Sequence, residues 1–302
     1  MGLGSAPLST APPIYKLHKN HLRPATGASP AAFRFVQKSI AYSWNERRQK
    51  LAVGCSQVSV DKSIIDEACE LVNGTELTIE DEGEVIPAYL FTAVKNNNGT
   101  GILLLSDIFG FHDSATTDFA YRVACNGYNV LVPDLFRGDS WRKDRPQALL
   151  EEWIAKQKPE HVARAIFASA RWIKDELAAA GISNKLGIIG FCFGGGRVVD
   201  ILAQDQDAYF GSGVSCYGTR IDSSVASKIT VPLLLITGDE DALCPITKLE
   251  EITKRNDSAK VVVFNGRGHG FVHRPTAEED ADAEEAFNIM RNWLHDGLLV
   301  QK

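Results

Sequence analysis

Eight short apolar runs recur along the chain after residue 75: "ELTIED", "IPAYLFTAV", "GILLLSD", "YNVLVPD", "KLGIIG", "FGSGVSCY", "VPLLLITG" and "KVVVFN". Several are unbroken stretches of Val, Ile and Leu, the pattern of strands covered on both faces. Segments of helical period fall between them. Val162, Ile166, Ile173 and Leu177 share one face of a helix starting after Pro159. Ala283, Ala286, Phe287, Met290, Trp293 and Leu294 repeat the period near the end of the chain. Strands alternating with helices predict an α/β fold with a mostly parallel sheet between helical layers. In such sheets binding sites gather at the carboxyl ends of the strands, so the loops that follow strands are where chemistry is expected.

The amino end breaks this pattern. Residues 1–45 contain no Asp or Glu, yet carry Lys16, Lys19, Arg23, Arg34 and Lys38 among many Ser, Thr, Ala and Pro. A basic, Ser-rich, acid-poor leader is the signature of an organelle transit peptide. The boundaries expected are 1–55 for the transit segment and 56–302 for one folded domain, since no linker or repeat divides the remainder. A plastid address, the chloroplast stroma, is favoured, with the mitochondrion or cytosol as alternatives.

Composition narrows the function classes. The 302 residues are 44% hydrophobic and 23% charged with a net charge of −6, which is ordinary for a globular protein and gives nucleic acid no basic surface. No apolar run reaches the roughly 18 residues of a membrane span. The six cysteines form no C-x-x-C pair and no zinc-like cluster, as in a reducing compartment.

The chemistry centres on "KLGIIGFCFGGGRVVD". A phosphate loop would need a lysine and a hydroxyl after its second glycine; here Gly195 is followed by Gly196 and Arg197. Gly190-Phe191-Cys192-Phe193-Gly194 instead fits G-x-nucleophile-x-G, a strained turn that lifts its central residue out between a strand and a helix. Cys192 would be the nucleophile, and the backbone N–H of Phe193 would face the oxyanion formed by its attack. The plain alternative is a buried cysteine at a glycine-rich packing site.

A thiol nucleophile needs a base, and the base an orienting acid. Three histidines follow Cys192; His295 reads as a surface residue, while His269 sits among glycines directly after an apolar strand and is the candidate base. His273 could instead line the pocket. Candidate acids are Asp239, Glu240 and Asp241 in "LLLITGDEDALCP"; a metal site from Asp239, Asp241 and Cys244 is a weaker alternative. The loop in "ILLLSDIFGFHD", with Asp107, Ile108, Phe109 and Gly110, is the candidate second oxyanion donor. Asp107 could hold the resting thiol or cap a helix.

"DIFG", "VPDLF", "GFCFGG", "GDEDALCP" and "GRGHGF", in that order, resemble the dienelactone hydrolase (carboxymethylenebutenolidase) family within the α/β-hydrolase superfamily, over about residues 75–300. The resemblance implies a three-layer αβα sandwich with the α/β-hydrolase fold and a triad of Cys192, Asp241 and His269. It also implies oxyanion donors at the backbone of Ile108 and Phe193, and places Asp107 where founding members carry a thiol-binding glutamate. Where those members grip a substrate carboxylate with two arginines, this chain has Arg137 one position early and His273 followed by Arg274. Phe109, Arg137, Trp141 and His273 are therefore the expected substrate contacts. The implied activity is hydrolysis of a small ester or lactone through a thioester, with no metal or organic cofactor and neither nucleic acid nor membrane as partner. The rivals are a β-glucan or glycoside hydrolase using Asp107 and Asp241, and a non-catalytic redox-sensing protein in which Cys192 reacts with Cys216 or Cys244.

Overall fold

The computed structural model describes residues 72–182 and 185–300. The expected transit segment 1–55, and the start of the expected domain at residue 56, lie outside the described residues.

All eight apolar runs form strands of one sheet: β1 (Val72–Asp81), β2 (Glu84–Ala93), β3 (Gly101–Leu105), β4 (Asn129–Pro133), β5 (Leu186–Phe191), β6 (Phe210–Cys216), β7 (Leu233–Gly238) and β8 (Ala259–Phe264). The spatial order is β1-β2-β4-β3-β5-β6-β7-β8. β1 and β2 form an antiparallel hairpin, β2 joins β4 antiparallel, and every pairing from β4 to β8 is parallel. Burial follows composition. β3, β4, β5 and β7 are buried at every position, whereas β1 and the edge strand β8 alternate between cover and exposure.

The helices are α1 (Ser114–Cys125), α2 (Leu150–Lys156), α3 (Pro159–Ala179), α4 (Phe193–Gln204), α5 (Ile246–Thr253) and α6 (Asp280–Leu298). α3 starts with its proline in the first turn, where the missing N–H costs nothing, and buries Val162, Ile166, Ile173 and Leu177. α6 buries Ala283, Ala286, Phe287, Met290 and Leu294, while Trp293 stays partly exposed. α1 and α6 meet on one face of the sheet, where Phe119 packs edge-on to Phe287 at 5.4 Å and Arg122 pairs with Glu284 at 2.6 Å. α3 and α4 contact one another on the opposite face. The result is a three-layer α/β-hydrolase sandwich.

β3 is the pivot of the topology. The chain leaves it through α1 to β4 on one side, then passes back through α2 and α3 to β5 on the other. Leu105 at the end of β3 pairs with Gly190 near the end of β5. Open α/β sheets bind ligands in the crevice where the strand order reverses. The Asp107 loop and Cys192 leave the sheet side by side at that point.

Candidate active site

Cys192 lies between β5 and α4 with φ 51° and ψ −114°, a backbone conformation costing about 1–3 kcal/mol for a residue other than glycine. Its surroundings over-determine that strain. Cys192 N–H donates to Cys216 O at 3.1 Å, and Cys192 O accepts from Thr219 N at 2.9 Å. The flanking glycines are steric necessities. A Cβ on Gly190 would sit 2.4 Å from Gly194 O, and one on Gly194 would sit 2.4 Å from Leu105 O and 2.6 Å from Ser106 O. Bare backbone lets α4 begin directly against the end of β3, where Gly194 N–H donates to Ser106 O at 3.2 Å.

That contact brings two free donors into one neighbourhood. Residues 107–110 form a tight turn in which Gly110 N–H donates to Asp107 O at 3.2 Å and Phe109 N–H to Asp107 Oδ1 at 2.9 Å. Ile108 O accepts from Trp141 N at 2.8 Å. Among the described residues, neither the N–H of Ile108 nor that of Phe193 has an acceptor. Unpaired backbone donors beside a strained cysteine are the parts from which an oxyanion hole can be built.

His269 arrives on the loop after β8. Its Nδ1 lies 2.7 Å from Asp241 Oδ2, and the Asp241 side chain is fully buried. The second oxygen, Asp241 Oδ1, accepts from Leu243 N at 2.8 Å and Cys244 N at 3.2 Å. Every partner is a donor, so the carboxylate holds the ring with Nδ1 protonated and leaves Nε2 for another group. Burial pushes the imidazole down, but the Asp241 hydrogen bond and the adjoining Cys192 side chain outweigh it and raise His269 to about 9. The neighbouring acids lie elsewhere: Asp239 is exposed and accepts Gly266 N–H at 2.6 Å, and Glu240 is exposed. His295 is an exposed side chain beside Asp296.

Burial pushes Cys244 up to about 11 and raises Cys216 further, while Cys125 is also raised by burial. Among the described residues no group of three or more His, Cys, Asp or Glu side chains is placed to hold a metal, the set Asp239, Asp241 and Cys244 included.

Three expectations need correction. Asp107 was expected to meet the resting thiol, yet its carboxylate is engaged otherwise: Oδ1 by Phe109 N–H, Oδ2 by His273 Nε2 at 3.1 Å and Arg274 Nε at 2.8 Å. Arg137 was expected at the substrate. With φ 54° it turns the chain after the buried Phe136 and bonds both Glu84 oxygens at 3.1 Å. It lines a cavity of about 230 Å³ between β2, the β4 loop and α3 that includes none of Cys192, Asp241 and His269. His273 was expected to line the pocket. Its side chain is only 1% exposed, stacked on Phe191 with centroids 4.2 Å apart.

Trp141 is buried against Trp153, so its link to the site is its backbone bond to Ile108. Phe109 is partly exposed, with the Arg274 and Lys143 cations 4.9 and 5.3 Å from its ring. Tyr217 escaped the sequence reading. It is wholly buried, edge-on to His269 at 5.0 Å, and bonded to His273. The available signal was its place as the last letter of "FGSGVSCY", the end of a strand beside the cysteine turn.

Known proteins resemble this chain in sequence and in fold. The model of the dienelactone hydrolase family matches residues 86–298. The human protein called carboxymethylenebutenolidase homolog is 30% identical over 222 residues, covering 70% of this chain and 88% of its own. A provisionally assigned dienelactone hydrolase from Klebsiella pneumoniae superposes with a TM-score of 0.65 at 24% identity, covering 74% of this chain and 98% of its own. The dienelactone hydrolase of Anabaena variabilis gives 0.60 at 18%, covering 76% and 100%. A family match over more than two-thirds of the chain, on a sheet with this strand order, leaves one conclusion: the chain belongs to the dienelactone hydrolase family and is a hydrolase of that kind with the α/β-hydrolase fold.

Proposed function

We propose that the protein hydrolyses a small carboxylic ester or lactone by covalent catalysis, with Cys192 as nucleophile, His269 as proton carrier and Asp241 orienting the imidazole. The observation that carries this reading is the 2.7 Å bond from His269 Nδ1 to Asp241, on a ring that also interacts with Cys192.

Cys192 Sγ attacks the substrate carbonyl carbon while its proton resides on His269 Nε2. The carbonyl oxygen becomes an oxyanion, stabilised by the N–H groups of Ile108 and Phe193; losing one such donor typically costs about 10²–10³ in kcat. Collapse breaks the carbonyl–alkoxide bond, and the departing oxygen takes the proton from His269. A thioester on Cys192 remains. Water then adds to it, giving a proton to His269, and the second collapse returns that proton to sulfur and frees the acid. With a lactone the departing alcohol stays tethered, so the product is a single hydroxy or oxo acid. The leader 1–55 is read as a chloroplast transit peptide, testable by where a fluorescent fusion accumulates.

The test is turnover of p-nitrophenyl acetate and a panel of lactones by the parent, Cys192→Ser and His269→Ala proteins. Both variants should lose at least about 10³-fold, because members of a triad act as a unit. No turnover by the parent across the panel, or undiminished turnover by both variants, refutes the assignment. Release of reducing sugar from β-glucan with the ester panel silent would favour glycoside hydrolysis.

A further inference from the structure

Beside the Cys192–His269–Asp241 cluster runs a second, buried chain of hydrogen bonds that the proposed reaction leaves unused. Tyr217 Oη lies 2.5 Å from His273 Nδ1, His273 Nε2 lies 3.1 Å from Asp107 Oδ2, and Arg274 Nε donates to the same oxygen at 2.8 Å. Arg274 Nη2 continues to Asp113 Oδ2 at 2.6 Å, and Asp113 caps α1 by accepting Ala115 N–H at 2.9 Å. An ionised carboxylate only accepts, so His273 Nε2 carries the proton it donates to Asp107, and in the neutral ring Nδ1 accepts the hydrogen bond of the Tyr217 hydroxyl. The electrostatics agree. Burial holds His273 below the usual imidazole range. Burial alone would raise Asp107, but His273 and Arg274 together hold its carboxyl below the ordinary value.

The chain meets the site on two sides, at Asp107 and at the loop of His273 and Arg274, and these must keep a fixed separation. On one side, Asp107 Oδ1 accepts Phe109 N–H and closes the turn around Ile108, whose own N–H has no acceptor among the described residues. On the other side, His273 and Arg274 belong to the loop that carries His269, and Arg274 N–H donates back to Gly270 O at 2.9 Å. Tyr217 touches both histidines of that loop, bonding His273 and packing edge-on to His269.

We infer that Asp107, clamped by His273 and Arg274, is a positioning residue for the oxyanion site: it sets the Ile108 N–H in register with the His269 loop instead of partnering the thiol. This rests on the proposed reaction at Cys192, with Ile108 as an oxyanion donor. His273 takes no part in proton transfer. It serves as a two-ended strut, one nitrogen donating and the other accepting.

That description separates the strut from a proton carrier, because an amide side chain offers the same donor and acceptor with no titratable proton. The experiment compares His273→Phe and His273→Gln with the parent in two assays on the full chain. One is steady-state hydrolysis of p-nitrophenyl acetate. The other is alkylation of Cys192 by iodoacetamide, in which an S–C bond forms and iodide leaves with no oxyanion on the way. Deleting an oxyanion donor costs about 10²–10³, so a donor retained but loosened is expected to cost about 10- to 100-fold.

His273→Phe should lose that much in kcat and in kcat/KM together, while Cys192 alkylates at the parental rate. His273→Gln should recover most of the turnover. Three results overturn the inference: alkylation slowed in step with turnover, which returns Asp107 to the thiol; a Gln variant as poor as Phe, which makes His273 a proton carrier; or KM raised with kcat unchanged, which makes it a substrate contact. If His273→Phe does not fold, Tyr217→Phe takes its place. It removes a single hydroxyl and should lose about 3- to 10-fold, the worth of one hydrogen bond. Failure of the underlying reading is seen separately, as ester turnover that survives Cys192→Ser.

Discussion

Gly194→Ala adds one methyl group at the point where α4 begins against the end of β3. An ideal Cβ there lies 2.4 Å from Leu105 O and 2.6 Å from Ser106 O, both backbone atoms of a fully buried strand and its first loop residue. Ordinary contact begins near 3.4 Å, so the helix start must retreat from β3 by about 1 Å. The Gly194–Ser106 hydrogen bond stretches with it, and the N–H of Phe193, one residue earlier, moves away from Ile108. A misplacement of ~1 Å in a positioned group costs about 10²-fold in rate. Overpacking of this kind costs about 1–3 kcal/mol of stability. The melting temperature should fall by about 2–4 °C for each kcal/mol lost. Initial rates on p-nitrophenyl acetate and a thermal scan of the same preparation check both figures. An alanine protein with parental kcat and an unchanged melt would refute the claim that this glycine holds the two donors together.

Other perturbations give outcomes of different kinds. Asp241→Asn removes the largest influence that raises His269, so in an NMR titration its ring should shift from about 9 to near or below the unperturbed value of about 6.5. The same shift predicts the pH dependence of stability. A histidine whose pKa is raised on folding stabilises fully below about 6.5, and that contribution, up to roughly 3 kcal/mol, is lost as pH climbs through about 9. Urea midpoints of the parent should therefore fall between pH 7 and 9 more than those of His269→Gln. Arg137→Ala breaks an exposed pair with Glu84, so KM and kcat should stay within about twofold and stability within about 1 kcal/mol. A KM raised tenfold would return Arg137 to the substrate site.

The sheet was legible because its strands are written in runs such as "GILLL" and "LLLIT", whose burial on both faces needs no knowledge of neighbours. The turn at Cys192 was legible for a related reason. The glycines two residues either side are required by backbone crowding that any chain in this conformation would meet. What escaped depends on direction rather than on residue type. The strand expected to end at Tyr217 ends at Cys216, because Tyr217 takes φ 37° and swings its ring inward. Arg137, with φ 54°, leaves the site by a similar reversal. Positive φ at residues other than glycine is imposed by tertiary packing and carries no compositional mark. His273 also looked like a lining residue, since nothing in "GHGFVHR" tells whether a side chain four positions past His269 points to solvent or stacks on Phe191.

The reversal of strand order at β3 has a consequence for how such a chain can diversify. Connections that depart in opposite directions from adjoining strands leave a seam that no crossover helix can roof. Access to Cys192 is thus a property of the path of the chain, independent of any one loop. The residues after Trp141 in the β4–α2 segment border that seam, with Lys143 5.3 Å from the Phe109 ring, and carry none of Cys192, Asp241 and the Ile108 turn. They are free to lengthen and recolour the entrance, so selection can exchange one guest molecule for another while the sulfur and its two facing amides stay put.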